Sequence, residues 1–307
     1  VFVAGARVSS MVATARVDGR LVAYVADEDD AMLRVFDVDA ERALGALKLP
    51  KTPSAVITLP HARVAVAFRD LAAVVVYEDD DGGEDIREIA TIAVPVEPVA
   101  LARTPDDASI VVTSGWGHAL SIIDGKTFER RATIELGREP RGVVVSADGS
   151  HAFVNHAAGD GLSIVDLEHA EARPKVWNLE AESWQTFIAR FGPQGPFSRR
   201  SNNGYAIALS EEPAGRVFVP HALAHTTANG PSGEEEQVSG YGGGSAGPNE
   251  LFDVAVIDVK RATPMDFEQR PSGENVLARL ADDSPRVSAC VVPRAAAVLG
   301  ATLFVAC

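Results

Sequence analysis

The residues best suited to chemistry in this chain are imidazoles and a guanidinium placed where strands end. His156, His221 and His225 can each offer a ring nitrogen to a metal or act as an axial ligand, roles that imidazole fills at neutral pH. They lie in different segments, and no spacing among them matches a known metal signature, so only the fold can bring them together. Arg141 stands at the opening of a strand, and Asp27, Arg69, Ser114 and Cys307 close strands elsewhere in the chain. Trp116 and Trp184 are candidate pocket aromatics. Other chemistries find less support. There is no GxSxG, no Ser, His and Asp set, and no CxxC or CxxCH. Gly242 to Gly244 lack the Lys-Ser/Thr and helix that a phosphate-cradling loop needs. The acidic runs Glu28 to Asp30, Glu78 to Asp81 and Glu234 to Glu236 lack EF-hand spacing and read as solvated surface.

What positions these residues is a repeat. Sliding PVALARTPDDASIVVTSGWGHALSIID from Pro98 onto PRGVVVSADGSHAFVNHAAGDGLSIVD from Pro140, without gaps, gives an offset of 42 residues. The overlay pairs Asp106 with Asp148, Val112 with Val154, Gly117 with Gly159 and Leu120 to Asp124 with Leu162 to Asp166. Tyr24-Val25 and Leu33 to Asp37 fall in the same frame, 129 residues before Phe153-Val154 and Leu162 to Asp166. A further copy starts at Pro53, with Tyr77 in place of the Asp that ends the third strand. Gly204, Arg216 and Val254 open the strands of a fifth copy, and a sixth starts at Pro285 with PRVSACVV and runs to LFVAC. Each unit reads as four short strands, and only Ala181 to Phe191 shows helical periodicity. Four strands every 42 to 45 residues is the period of a propeller blade. A lone four-stranded sheet cannot bury its two apolar faces, so the blades must stack. The fold class expected is therefore all-β, a β-propeller of four-stranded antiparallel blades, with residues 1–307 forming one domain of five to six blades.

The stretch EPRGVVVSADGSHAFVNH and its copies resemble the YVTN-type β-propeller family, whose repeat runs PRGVAVSPDG, AYVTN and VSVID. The resemblance covers most of residues 20–307 and departs at the Asn-Thr positions, which here are Asn155-His156, Pro220-His221 and Ala306-Cys307. It implies a ring of about seven blades when complete, and a protein exported to the periplasm or cell surface. In some bacterial members it also implies fusion to c-type cytochrome or di-haem peroxidase-like modules. The chain opens at Val1 and stops at Cys307 inside an apolar run, and so reads as a piece of a longer protein.

Two segments interrupt the repeat, 180–202 and 222–250, the second Gly/Ser-rich with an acidic run and expected to be mobile. In an up-and-down blade the loops between strands two and three, and between strand four and the next strand one, share one end. Both insertions belong to that set, as do Arg141, Asp27, Arg69, His156 and His221, and repeat proteins commonly expand the loops of their binding face.

Composition narrows the partners. A net charge of −15 and the lack of a Lys/Arg stripe argue against nucleic acid. No run reaches 18 apolar residues, so no transmembrane segment is expected. Cys290 and Cys307 fit either a disulfide within one hairpin or two buried thiols. The functional expectation is a non-catalytic scaffold outside the cytoplasm. It would bind a protein partner or adjoining domain and could dock an electron-transfer module, with no cofactor of its own and any haem or metal contact arising in the full-length protein. Two alternatives stand: a lactonase-like hydrolase with a channel metal held by acidic or His side chains, and a surface-layer or adhesion propeller.

Overall fold

Strands such as Ala55–Leu59 and Ser109–Ser114 bury every residue, so the sheets that contain them must be covered on both faces. The computed structural model describes residues 2–83, 85–159, 161–179, 199–210, 215–225, 250–259, 293–299 and 302–306. Ala181 to Phe191, Trp184, Gly242 to Gly244, Glu234 to Glu236, Pro285, Cys290 and Cys307 lie outside them.

The described chain is all-β, built from antiparallel sheets that run in simple up-and-down order in blades 1 to 4, whereas in blade 5 both β18 and β19 pair with β20. Blade 1 comprises β1 (Phe2–Ala4), β2 (Val12–Val17), β3 (Arg20–Asp27), β4 (Met32–Asp37) and β5 (Arg42–Lys48). Blade 2 is β6 (Ala55–Leu59), β7 (Arg63–Phe68), β8 (Ala73–Asp79) and β9 (Ile86–Ala93). Blade 3 is β10 (Pro98–Arg103), β11 (Ser109–Ser114), β12 (Ala119–Asp124) and β13 (Arg130–Glu135). Blade 4 is β14 (Pro140–Val145), β15 (His151–His156), β16 (Gly161–Asp166) and β17 (Lys175–Asn178). Blade 5 contains β18 (Arg199–Asn202), β19 (Ala208–Ser210), β20 (Arg216–His225) and β21 (Glu250–Asp258), and a hairpin follows from β22 (Ala295–Leu299) and β23 (Thr302–Ala306). The repeat survives in the register, since β10 pairs Leu101 with Val112 and β14 pairs Val143 with Val154, each 42 residues later.

The hydrophobic cores lie between blades. Side chains alternate faces along a strand, so Ile110 and Val112 of β11 pack with Ile57 and Val74 of blade 2, whereas Val111 packs with Val143 and Val154 of blade 4. Phe153 and Leu162 in turn meet Val217, Val219 and Ile257 of blade 5. Each such aliphatic side chain contributes roughly 1.5–3 kcal/mol by leaving water. Polar latches accompany the packing at the inner end. Thr113 Oγ1 donates to the Arg141 carbonyl of the next blade, and Asn155, its counterpart, donates through Nδ2 to the Ala206 carbonyl. Residues 5–10 run along the inner edges of β6 and β10. The Ser9 N–H donates to the Leu101 carbonyl at 2.8 Å, and Arg103 Nη2 donates to the Gly5 carbonyl at 2.8 Å.

One expectation is corrected in detail. The carboxylate position at the end of the third strand in blade 2 is held by Glu78, which pairs across from Arg63 as Asp124 does from Ser109; Tyr77 faces the core. In the hairpin β22–β23, Pro293-Arg294 precedes β22 as Pro140-Arg141 opens β14, and the segment opening at Pro285 lies outside the described residues. Within the two insertions, Arg199–Asn202 forms β18, residues 222–225 extend β20 and Glu250 starts β21.

Blades 1 and 2 share a buried polar contact. Tyr24 Oη donates to Asp79 Oδ2 at 2.7 Å, and the Gly83 N–H donates to Oδ1 at 2.7 Å. Asp79 is fully buried, so these donors replace its water. The loop that supplies Gly83 presses its carbonyl against Gly45 of β5, where a side-chain carbon would clash. Tyr24→Phe is expected to cost about 1–3 kcal/mol, because it leaves one buried carboxylate oxygen without a donor. The urea unfolding midpoint measures this, and an unchanged midpoint would mean that the contact is not maintained in solution.

Candidate functional site

The loops after strands two and four of each blade gather at one end of the propeller, and two observations make that end distinctive. First, the insertions meet there. β18 pairs with the extended part of β20, setting Asn202 against Ala222 and Arg199 against His225, so the end of one insertion and the start of the other form one sheet. Second, the end carries a cluster contributed by three successive blades. Arg141 opens β14 and is mostly buried, with 16% of its side chain exposed. Its Nη1 lies 3.2 Å from Glu97 Oε1 and its Nη2 lies 2.5 Å from Glu139 Oε2. The guanidinium carbon is 5.9 Å from the centroid of the Tyr205 ring, within cation–π reach. Arg294 approaches the same ring at 5.9 Å. Glu97 and Glu139 adopt left-handed backbone, at φ 60° and 49°, immediately before the prolines that open β10 and β14. With two carboxylates on it, Arg141 is a charge-satisfied clamp rather than an open anion receptor.

The Glu97 carboxylate also organises the next loop. Its Oε2 accepts the Trp116 backbone N–H at 2.9 Å, its carbonyl accepts Gly115 N–H at 2.8 Å, and the Val96 carbonyl accepts Gly117 N–H at 3.0 Å. A side chain at Gly115 would strike the same carboxylate. The turn therefore presents Trp116, whose indole is 69% exposed, from a hydrogen-bonded base.

The remaining candidates separate. His156 is buried, and both ring nitrogens are engaged: Nδ1 meets the Arg138 carbonyl at 2.7 Å and Nε2 meets Ser163 Oγ at 2.8 Å. These partners assign the proton to Nδ1 and let Nε2 accept from the serine. The ring is a tether between loop and strand and has no lone pair left for a metal. In blade 3 the same two positions are Ser114 and Ser121, buried hydroxyls without a hydrogen-bond partner among the described residues. His221 is 1% exposed, with Nδ1 at 2.9 Å from the Val219 carbonyl, and His225 closes β20 opposite Arg199. Among the described residues no three His, Cys, Asp or Glu side chains group as a metal set. Asp27 accepts Arg34 Nε at 2.7 Å and the Asp30 N–H at 3.1 Å, and the Arg34 bond holds its carboxyl below the usual range. Arg69 stands exposed in the short 3₁₀ turn Arg69–Leu71. An open groove of about 520 Å³ between blades 3 and 4, lined by Thr133 to Gly137 and Ala170 to Pro174, includes none of the candidates.

Sequence reasoning missed Glu97, Glu139, Tyr205 and Arg294. The signal was present: Glu precedes Pro at both 97 and 139, and Pro-Arg occurs at both 140 and 293.

The His156 tether makes stability depend on pH. Burial pushes the imidazole below its ordinary value, opposed by the bond to the Arg138 carbonyl and aided by the nearby His118 ring. The unfolded chain, titrating near about 6.5, then binds protons more readily than the folded one. Stability should therefore decline as the pH falls from that value through the lower folded one, and level off beyond it. Denaturant unfolding at neutral and mildly acidic pH should show a smaller difference for His156→Gln than for the parent chain. Equal differences would indicate a solvated ring.

No protein-family model matches the chain, and no curated protein matches it. Solved structures do. Hydrazine synthase of Kuenenia stuttgartiensis superposes with a TM-score of 0.56 at 17% identity, covering 77% of this chain and 59% of that one. The chain thus spans less than two thirds of that protein's length. A Lactobacillus plantarum protein gives 0.47 at 15% identity, covering 68% of this chain and 65% of that one. A Bacteroides fragilis protein described as a candidate 6-phosphogluconolactonase gives 0.44 at 15% identity, covering 56% of each chain. These identities speak to architecture alone, and the architecture shared with the hydrazine synthase chain is the β-propeller.

Proposed function

We propose that this chain is a binding scaffold, a YVTN-type propeller working outside the cytoplasm, whose insertion-bearing end docks a protein partner or an adjoining domain. The single observation that carries the reading is the convergence of both insertions, through the pairing of β18 with β20, on the end that also displays Trp116. Loop expansion on one end of a repeat array, beside a rigid exposed aromatic, suits recognition. The side chains there are arranged to hold shape: Arg141 is neutralised by Glu97 and Glu139, and His156 is tied to Arg138 and Ser163.

The nature of the partner comes from the family resemblance, which favours a c-type cytochrome module; any haem contact would then belong to the docked state. The hydrolase alternative needs carboxylate or His side chains converging on the channel. In the innermost strands of blades 2 to 4, β6, β10 and β14, the ionisable residues are Arg103 and Arg141, with no carboxylate. The inner edges of β6 and β10 are moreover occupied by residues 5–10.

The test is binding between this chain and a CxxCH-containing domain encoded in the same or an adjacent reading frame. Removal of residues 226–249 and, separately, Trp116→Ala should each weaken binding by about tenfold, with the melting temperature retained. A domain that binds both variants as well as the parent would overturn docking at this end. Absence of any CxxCH domain would overturn the cytochrome assignment.

A further inference from the structure

Trp116 does not stand alone. Val96 is 53% exposed and Leu71 39% exposed, and the three side chains come from successive loops that bond to one another. The Ala72 carbonyl accepts the Val94 N–H at 2.9 Å, and the Val96 carbonyl accepts the Gly117 N–H at 3.0 Å. Single exposed apolar residues are ordinary on a protein surface. Three on a continuous hydrogen-bonded rim form an apolar anchor point of the kind found at the centre of interfaces.

At the opposite end of the propeller most arginines stand against carboxylates, while Lys126 and Arg173 are exposed there without one among the described residues. There, Arg42 pairs with Asp37, Arg63 and Arg87 with Glu78, Arg103 with Asp107, and Arg131 with Asp124. At the Trp116 end, Lys51, Arg69 and Arg138 are all exposed, and no carboxylate among the described residues pairs with any of them. Arg294 is exposed too, and its recorded side-chain contact is the Tyr205 ring. Glu97 and Glu139, which could have balanced them, are spent on Arg141. Asp70 is an exposed acid beside Leu71, and the β3–β4 turn of blade 1 exposes Glu28, Asp29 and Asp30 at the same end, Asp30 being paired with Arg34. A chain with a net charge of −15 thus carries, at the end that displays Trp116, exposed cations without a carboxylate partner among the described residues.

We propose that this rim, with Trp116, Val96 and Leu71 as the apolar centre and Lys51, Arg69 and Arg138 as its collar, docks an acidic segment of a partner protein. That segment would place an aliphatic or aromatic side chain against the indole and carboxylates against the collar. Carboxylate is the complement because the guanidinium groups can take it bidentately and lose little hydration in doing so. Complementary charge on the rim sets partner choice and encounter rate, while the buried apolar contact supplies most of the affinity. The inference rests on the scaffold reading above and narrows the chemistry of its partner.

Selection of short random peptides displayed on phage against the intact chain tests it, with recovered peptides then measured individually by titration. The expected result is enrichment of peptides that combine several Asp or Glu with a Leu, Phe or Trp. Their binding should weaken as salt is raised, and should fall about tenfold or more with Trp116→Ala and with the double change Arg69→Glu and Arg138→Glu. These positions are exposed, and unchanged thermal melts confirm that both variants remain folded. Enriched peptides that are basic or uncharged but still need Trp116 would overturn the acidic assignment and leave the scaffold reading in place. Recovery of no peptide above the uncoated matrix, or of peptides that bind both variants like the parent, would overturn the surface itself.

Discussion

The rest of the structure depends on the fact that a blade has no outside face. A strand such as β11 sends Ile110 and Val112 into one core and Val111 into another, so neither core exists until a neighbouring sheet arrives. Stacking is therefore the folding event that matters energetically, and an inner blade such as blade 3 draws its stability from two interfaces rather than from an interior of its own. The inner-end latches follow from the same geometry. Where one sheet leans on the next, the exposed carbonyls of Arg141 and Ala206 would be buried without donors, and Thr113 and Asn155 supply them.

Stacking also decides what the distinctive end can be. Arg141 belongs to blade 4, Glu97 to the loop entering blade 3, and Tyr205 to the approach into blade 5, so the clamp exists only when three sheets are in register. A clamp of this kind is costly to rearrange, because a buried guanidinium that loses one carboxylate keeps its desolvation penalty. The Glu97 carboxylate holds both Arg141 and the turn that carries Trp116. The position of the exposed indole is thereby tied to the packing of the blades beneath it, and this preorganisation is what a docking surface needs.

The architecture was legible because inherited register is a stronger signal than any local propensity. The offset of 42 residues that overlays Val112 on Val154 reappears as the pairing of Leu101 with Val112 and of Val143 with Val154. Where the reading slipped, it slipped by assuming that copies align without gaps. In blade 2 the turn runs through His61 and Ala62, both with positive φ, and moves the carboxylate position to Glu78. The side-chain roles were harder still to see. A histidine at the end of a strand looks like a ligand in a string of letters, and His156 becomes a tether only once Ser163 and the Arg138 carbonyl are found on either side of it.

Net charge shows the same separation between composition and placement. The value of −15 describes the chain as a whole, and it argues against nucleic acid as a general partner. It says nothing about how the cations are spent. Arg42, Arg63, Arg87, Arg103 and Arg131 stand opposite carboxylates because the turns at their end of each blade are built from Asp and Glu. Several of those acids double as turn-stabilising acceptors. Asp148 takes Ser146 and Ser150, which holds its carboxyl down at about 2, and Asp106 takes Thr104 and the Ala108 N–H. Tight turns at one end thus require acids and attract arginines. The other end uses its two inner glutamates to hold Arg141, and Lys51, Arg69 and Arg138 on its rim stand without a carboxylate partner among the described residues.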